Sequence, residues 1–470
     1  MMTRVIVKWI NGKINNSTIQ LHNYFSTKLK DTHLKELLTG SSIAFVLKIV
    51  GMVFGYLFTL LITRNFGAGA MGIFALSTTV LSIAAILGRL GFDTALLRFV
   101  AEYSAQDRKD LIKEVYIKTL KIVIPSSLLL TFLLFYFSPY IAKNIFHKEY
   151  LSFYFRIVSI AVLPMVLTLI NSQTLRALKK IKEFSFFQNI FNPLFASILL
   201  TFFLFFTKQQ SIPVVSYVLA MFLGALISQI VWQKNAKLGT VLHSKTIKLR
   251  SILDVSLPML LSSSMFLIMN WTAIIMLGMF KTDAEVGIFN VAVKIATFAS
   301  ITLIAINSIA APKFAEFYGK RDMKGLRKIA QQSTKIIFWT SFPILLVIFL
   351  FPSFILGIFG QEFKTGVYAL ILLTIGQFIN AISGSVGFIL QMTGKQKVFQ
   401  NIIFIATLIN IILNVILIPR YGINGAAFAS MISMGLWNLS SVIYVKLYLN
   451  IVTLYVPILS RRGLTPFGRK

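Results

Sequence analysis

The chain has 470 residues, of which 56% are hydrophobic and only 13% charged, with a mean hydropathy of +0.79. Soluble proteins carry about a quarter of their residues as charges, so this composition excludes water as the main solvent and points to an all-α polytopic membrane protein. The formal charge of +31 would suggest nucleic acid in a soluble chain; in a membrane protein basic residues first serve to hold cytoplasmic loops, and no nucleic-acid partner is expected.

Residues 1–40 are polar and basic and lack the uninterrupted apolar core of about 7–15 residues that a signal peptide needs. Leu29, Leu34, Leu37 and Leu38, spaced among Lys28, Lys30 and Lys35, suit a short helix lying on the membrane surface, with disorder as the alternative. Beyond this cytoplasmic segment the chain has about twelve apolar stretches, each near the roughly 20 residues that cross a hydrocarbon core. The first six are expected at Ser41–Thr63, Ala70–Gly91, Tyr116–Ser138, Leu151–Leu175, Phe184–Phe206 and Ile212–Gln233. The second six are expected at Ile252–Leu277, Ala284–Ala310, Ala330–Pro352, Gly366–Gln391, Val398–Ile418 and Ile423–Lys446. This gives an N-lobe over 41–233, a basic cytoplasmic linker over 234–251, a C-lobe over 252–446 and a basic cytoplasmic tail over 447–470.

Loop charges orient the spans. With the N-terminus in the cytoplasm, the Lys and Arg outside the spans divide into 31 in inside segments and 7 in outside loops. The seven are Arg64, Lys143, Lys148, Lys208, Lys281, Lys364 and Arg420. Every inside segment is at least as basic as its outside neighbours, a pattern that a misplaced span would scramble. Both termini are therefore expected on the cytoplasmic side of a multi-pass cytoplasmic-membrane protein.

The chain repeats itself. A shift of 215 residues without gaps aligns Gly72-Ile73-Phe74 with Gly287-Ile288-Phe289, Phe99 with Phe314, Tyr103 with Tyr318, Asp107 with Asp322 and Lys109 with Lys324. Between Gly72 and Thr119 there are 13 identities in 48 positions, and Arg98 faces Lys313. Each copy holds six spans, an even number, so both enter the membrane the same way round. Two parallel lobes follow, related by an axis along the membrane normal, with a central cavity as the substrate path between them. Pro125, Pro164, Pro193, Pro258 and Pro343 fall inside spans. Proline removes a backbone donor and kinks a helix, so Pro125, Pro164, Pro258 and Pro343 are candidate hinges, with packing kinks as the alternative.

The stretches "GRLGFDTALLRFVAEY", "SAQDRKDLIKE" and "MLGMFKTDAEVGIFNVAVKIA" resemble the polysaccharide transporter branch of the multidrug/oligosaccharidyl-lipid/polysaccharide exporter superfamily, which includes O-antigen and lipid-linked oligosaccharide flippases. The resemblance covers about residues 40–450. It implies a V-shaped pair of six-helix lobes around a cavity that opens alternately to each side. Many members have fourteen spans, and "LSRRGLTPFGRK" looks like the linker before a thirteenth. Relatives often carry an acidic residue where this chain has Asn270, Trp271, Thr272 and Ala273, so no coupling carboxylate is expected there.

Ionisable residues within the membrane are costly and mark function by default. Lys294 lies about ten residues into its span, with no acidic residue at comparable depth. Lys48 and Arg89 come from the first two spans, and Arg98 follows in the basic segment beyond them. Together these four cations are the candidate binding residues for an anionic headgroup, Arg through paired hydrogen bonds and Lys as a point charge. For Lys48, Arg89 and Arg98 a role as headgroup anchors is the competing reading.

The expected function is therefore a flippase for a polyprenyl-pyrophosphate-linked oligosaccharide, with membrane lipids, and a polymerase and glycosyltransferases of the same pathway, as partners. A cation-coupled multidrug exporter is the alternative, and a membrane glycosyl transferase, polymerase or ligase is a third reading. That third class needs acid–base groups at a wet site, and the outer loops offer only Glu149, Asp283, Glu285 and Glu362. No phosphate-binding loop of the G-x-x-x-x-G-K-[ST] kind is present. With no cysteine and four scattered histidines, His22, His33, His147 and His243, neither a metal nor a cofactor is expected, and no catalytic residue is assigned. Reporter fusions after Lys148, Lys208 and Lys281 should read outside, and those after Lys109, Lys180 and Lys248 inside; one reversal would break the twelve-span arrangement.

Overall fold

The computed structural model describes residues 32–236, 252, 256, 268, 269, 271–455 and 457, with the helix backbone alone over 32–42. The described residues from Leu47 onward form one compact unit. The backbone is helical from Thr32 into the first crossing, which takes in Leu34, Leu37 and Leu38 of the expected surface helix; Leu29 and Lys30 lie outside the described residues.

In chain order the N-lobe helices are α1 (Thr32–Arg89), α2 (Phe92–Ala105), α3 (Lys109–Tyr140), α4 (Leu151–Ser159), α5 (Val162–Ala177), α6 (Ile181–Ser185), α7 (Phe191–Leu204) and α8 (Ile212–Ala236). The C-lobe has α9 (Trp271–Phe280), α10 (Asp283–Phe298), α11 (Ser300–Gly319), α12 (Met323–Leu350), α13 (Pro352–Gly357), α14 (Val367–Ser383), α15 (Val386–Met392) and α16 (Gln396–Leu449). No strand occurs among the described residues.

By length and apolarity seven helices can cross a membrane, or nine with the bent pairs α4–α5 and α10–α11 each taken as one span. Two of them, Ile43–Arg89 and Gln396–Leu449, have 47 and 54 residues, twice what one crossing needs. Each is broken by a glycine with positive φ, Gly67 at 80° and Gly422 at 53°, a conformation that residues with a Cβ rarely adopt. Counting two crossings for each long helix gives eleven among the described residues. The expected seventh span, Ile252–Leu277, falls mostly outside them.

The two copies of the repeat bend at different places. In the N-lobe the break is the left-handed turn Leu90–Gly91, after which α2 extends what the sequence suggested was a loop. The C-lobe has Ala305 and Ile306 at the equivalent positions, and a β-branched residue resists positive φ. There the helix runs on, bending instead by 44° at Ala299 between α10 and α11. Ser341 of α12 donates to the Ala299 carbonyl at 3.4 Å, satisfying backbone freed by the bend. Of the candidate hinges, Pro164 lies in the first turn after the 43° bend between α4 and α5. Pro125 and Pro343 sit inside the continuous helices α3 and α12, and Pro258 is outside the described residues.

The lobes meet at the duplicated glycines. A Cβ on Gly72 would lie 1.8 Å from the Asp283 carbonyl oxygen, and one on Gly287 would lie 2.1 Å from that of Ala68. The 215-residue shift carries Ala68 onto Asp283 and Gly72 onto Gly287, so each contact is the other's two-fold image. Lipid tails are as apolar as side chains, which leaves close van der Waals packing between small residues to hold membrane helices together.

Around this crossing one core takes in both lobes, with Phe58, Ile62 and Met71 in the same cluster as Ile288, Leu356 and Phe363. At the opposite end the C-lobe keeps its own cluster, including Phe314, Leu326, Ile389 and Phe399. The lobes thus share one core at this crossing, while part of the C-lobe is cored separately. Gly72→Ala or Gly287→Ala should destabilise the protein by at least about 1–3 kcal/mol, the usual range for overpacking. Thermal melting in detergent would show this as a clear loss, whereas Gly69→Ala, where a Cβ meets nothing within 4 Å, should be neutral.

Candidate functional site between the lobes

Lys294 is placed by α10, whose N-terminus is fixed by a capping box. The Thr282 hydroxyl accepts from the Glu285 backbone, and the Glu285 carboxylate accepts from the Thr282 backbone. Three turns into this helix the half-buried Lys294 reaches across to α1, where its Nζ donates to Thr59 Oγ1 at 2.8 Å. Tyr56, one turn earlier on α1, donates its hydroxyl to the Lys294 carbonyl at 2.5 Å. The lysine is thus held between lobes by neutral oxygens and has no carboxylate partner among the described residues. An ammonium has three donors, and Thr59 takes one.

The equivalent position in the first copy is Thr79. It is buried, with its hydroxyl turned back onto the Ala75 carbonyl at 2.7 Å. The scaffold is duplicated and the charge is not.

The other three cations have different surroundings. Lys48 is half-buried on α1 and makes no hydrogen bond or ion pair among the described residues. At 100° per residue it falls on the same face as Thr59, about 16 Å along the axis towards the basic end. Arg89 is neutralised: its Nη1 meets Asp93 Oδ2 at 3.0 Å, with the two side chains 14% and 13% exposed. Arg98 is exposed and lies 5.9 Å from the centroid of the neighbouring Phe99 ring. Of the four, Lys294 alone is shown making a contact between the lobes.

The opposite, sparsely basic end is latched. Lys148, between α3 and α4, donates to Asp283 Oδ1 and to the Lys281 carbonyl, both at 2.7 Å. Tyr150 donates to the other Asp283 oxygen; burial, together with that carboxylate, holds its phenol above the ordinary range, so it stays a donor. From the C-lobe, Glu362 accepts from the Ala68 backbone at 2.6 Å, and Arg64 donates to the Ile358 carbonyl at 2.7 Å. Each lobe thus sends a loop to the helix N-terminus of the other. Glu149 pairs with Lys143 at 2.8 Å on the surface, so all four outer carboxylates are engaged in structural contacts.

A small cavity of about 60 Å³ inside the C-lobe is bordered by Thr297, Gln377, Asn410 and Ser430, with Asn410 Nδ2 left without a partner. Among the described residues no group of three His, Asp or Glu side chains could hold a metal ion.

The family model described as polysaccharide biosynthesis protein matches residues 37–318, more than half of the chain. The chain belongs to that family. It lies in the multidrug/oligosaccharidyl-lipid/polysaccharide exporter superfamily, and the MatE model also matches residues 258–416. An uncharacterized membrane protein of Methanocaldococcus jannaschii is 24% identical over 392 residues, covering 77% of this chain and 74% of that protein. Agl15 of Haloferax volcanii, named a probable low-salt glycan biosynthesis flippase, is 25% identical over 231 residues and is matched over 49% of each chain, about half its length. Among solved structures, the lipid II flippase MurJ in an inward closed conformation superposes with a TM-score of 0.70 at 15% identity, covering 87% of both chains. That likeness is one of fold: a two-lobed polytopic membrane protein.

Within this polysaccharide biosynthesis family fold, the repeat and the lone charge of Lys294 are visible in the sequence. Its partners Tyr56 and Thr59 are not, because ordinary hydroxyls in an apolar helix carry no signal until the opposing helix is placed. The latch residues are visible only as loop charges. Arg89 and Asp93 stand four apart, a spacing that often pairs side chains, and this was the available signal that Arg89 has its own counter-ion.

Proposed function

We propose that this protein is a flippase for a polyprenyl-pyrophosphate-linked oligosaccharide, carrying the headgroup between leaflets of the cytoplasmic membrane while the lipid tail stays in the bilayer. In this reading both termini lie in the cytoplasm, the latched end faces outward and substrate enters from the basic, inner end. The observation that carries this reading is Lys294, an ammonium deep in the membrane between two lobes, held by the neutral Thr59 hydroxyl. A charge near the bilayer centre costs about 2.5–3.5 kcal/mol on insertion scales, and a diphosphate supplies the missing counter-charge. Lys48, on the same face of α1, lies on the path towards the inner end. Arg98 is assigned to capture at the membrane surface. Arg89, paired with Asp93, contributes little charge unless the substrate displaces that carboxylate.

Homology supports the substrate class. The family name, the naming of Agl15 as a glycan flippase and the fold shared with a lipid II flippase all concern glycan transport. The glycosyltransferases that build such a lipid-linked glycan and the polymerase that consumes it are the implied partners. The protein acts as a transporter, not an enzyme, in keeping with the structural use of its outer carboxylates.

The MatE match favours a second reading, cation-coupled export of drugs. The C-lobe cavity offers a coupling ion only the neutral groups of Thr297, Gln377, Asn410 and Ser430, and a cationic drug would be repelled by Lys294.

Translocation of the lipid-linked glycan in a reconstituted membrane distinguishes these readings. Lys294→Ala should abolish translocation with expression and insertion intact, Lys294→Arg should retain part of it, and Lys294→Glu should be as inactive as the alanine variant. Full activity of well-folded Lys294→Ala would remove the anion-site assignment.

A further inference from the structure

An apolar groove begins beside Lys294 and runs towards the latched end. Its volume is about 540 Å³, within the roughly 300–1,000 Å³ of pockets that hold drug-sized ligands. Tyr56 of α1, Phe298 of α10, Ile344 and Val347 of α12, and Ile355 and Phe359 around α13 line it. Its walls are hydrocarbon throughout except for Tyr56, whose hydroxyl is already spent on the Lys294 carbonyl. Ile295, the residue next to Lys294, also borders it. Phe298 and Val347 are 38% and 53% exposed, so the groove is open along this side. The bend at Ala299 follows directly after Phe298.

We infer that this groove holds the hydrocarbon chain of the same anionic lipid whose headgroup meets Lys294, in the form of the first isoprene units of a polyprenyl chain. The inference rests on the headgroup reading of Lys294. Two observations commit the groove to this occupant. First, the groove adjoins the residue that carries the cation: Tyr56 forms one of its walls and donates to the Lys294 backbone carbonyl, and Ile295 borders it. Second, the groove starts at the depth of Lys294, about ten residues into its span. A resident phospholipid keeps its headgroup at the interface and has no use for a hydrocarbon path that starts near the midplane. A lipid in transit has its headgroup between the lobes, and its chain must leave from there into the bilayer. A wholly apolar exit also avoids unpaired polar groups facing hydrocarbon. The branched side chains of Ile344, Val347 and Ile355 offer an uneven surface that suits a methyl-branched chain.

The test uses the full chain in lipid nanodiscs with a long-chain polyprenyl phosphate bearing a diazirine on its second isoprene unit. Labelling sites are mapped by mass spectrometry. The wild-type protein should be labelled on α10 and α12 around Phe298 and Val347, and unlabelled polyprenyl phosphate should compete where phosphatidylglycerol does not. Ile344→Trp, which fills the groove, should reduce this labelling on the order of tenfold, the loss expected when about two methylene equivalents of packing are removed. Val347→Trp, at an exposed position, gives a second filling variant that should fold normally and act in the same direction. Lys294→Ala should reduce groove labelling as well, since the anion positions the chain.

Labelling elsewhere, or equal competition by phosphatidylglycerol, would overturn the groove assignment. If Lys294→Ala abolishes translocation while the groove stays unlabelled, the groove inference fails and the headgroup reading survives. If Lys294→Ala leaves translocation and groove labelling intact, the headgroup reading fails and takes this inference with it.

Discussion

The architecture depends on one contact, the crossing of two helix N-termini at Gly72 and Gly287, where backbone meets backbone with no room for a side chain. A helix start carries roughly half a positive charge, and two such starts side by side in a low-dielectric medium repel. The chain places its scarce carboxylates there. Glu362 accepts from the Ala68 backbone, Glu285 caps its own helix and Asp283 lies in the first turn beside Lys148. Few acids and many bases in the composition thus correspond to a specific distribution, with Asp283, Glu285 and Glu362 gathered at one crossing and the bases left to orient the loops.

Duplication explains the symmetry of this crossing, and loss of symmetry explains the site. Two identical lobes would line a cavity with like groups on both sides. Here Thr79 packs quietly where Lys294 projects, and the N-lobe breaks at Leu90–Gly91 where the C-lobe bends at Ala299. The change of bend is tied to a single residue type, since Ile306 stands where Gly91 would have allowed a left-handed turn. The charge and the altered bend occur within five residues of each other, which places a cation and an apolar groove at the same level of the membrane.

Much of this was legible in the sequence because membrane segments obey a severe rule: every backbone group must be satisfied internally, so apolar stretches become helices of a known length. The repeat was legible because Gly72 and Gly287 must both stay small. Breaks were less so. The candidate hinges Pro125 and Pro343 lie in unbroken helices, because one missing donor bends a helix without ending it, whereas positive φ at Gly67 and Gly422 ends it outright. The contacts of Lys294 were illegible for a different reason: Thr59 lies 235 residues away, and only the packed lobes bring it near. The same holds for the latches, whose members are conventional loop charges until the helices are placed.

If the crossing is the closed gate of an alternating-access transporter, it must part for substrate to leave. The chain has no cysteine, so labels can be placed at Asn65 in the N-lobe and Thr365 in the C-lobe without background. Pulsed dipolar spectroscopy between those two positions in nanodiscs gives the separation of the lobes at the latched end. The resting protein should give one short distance, and a second, longer one should appear when a polyprenyl-pyrophosphate-linked glycan is supplied. A single short distance, unchanged in a preparation that demonstrably translocates the glycan, would contradict this.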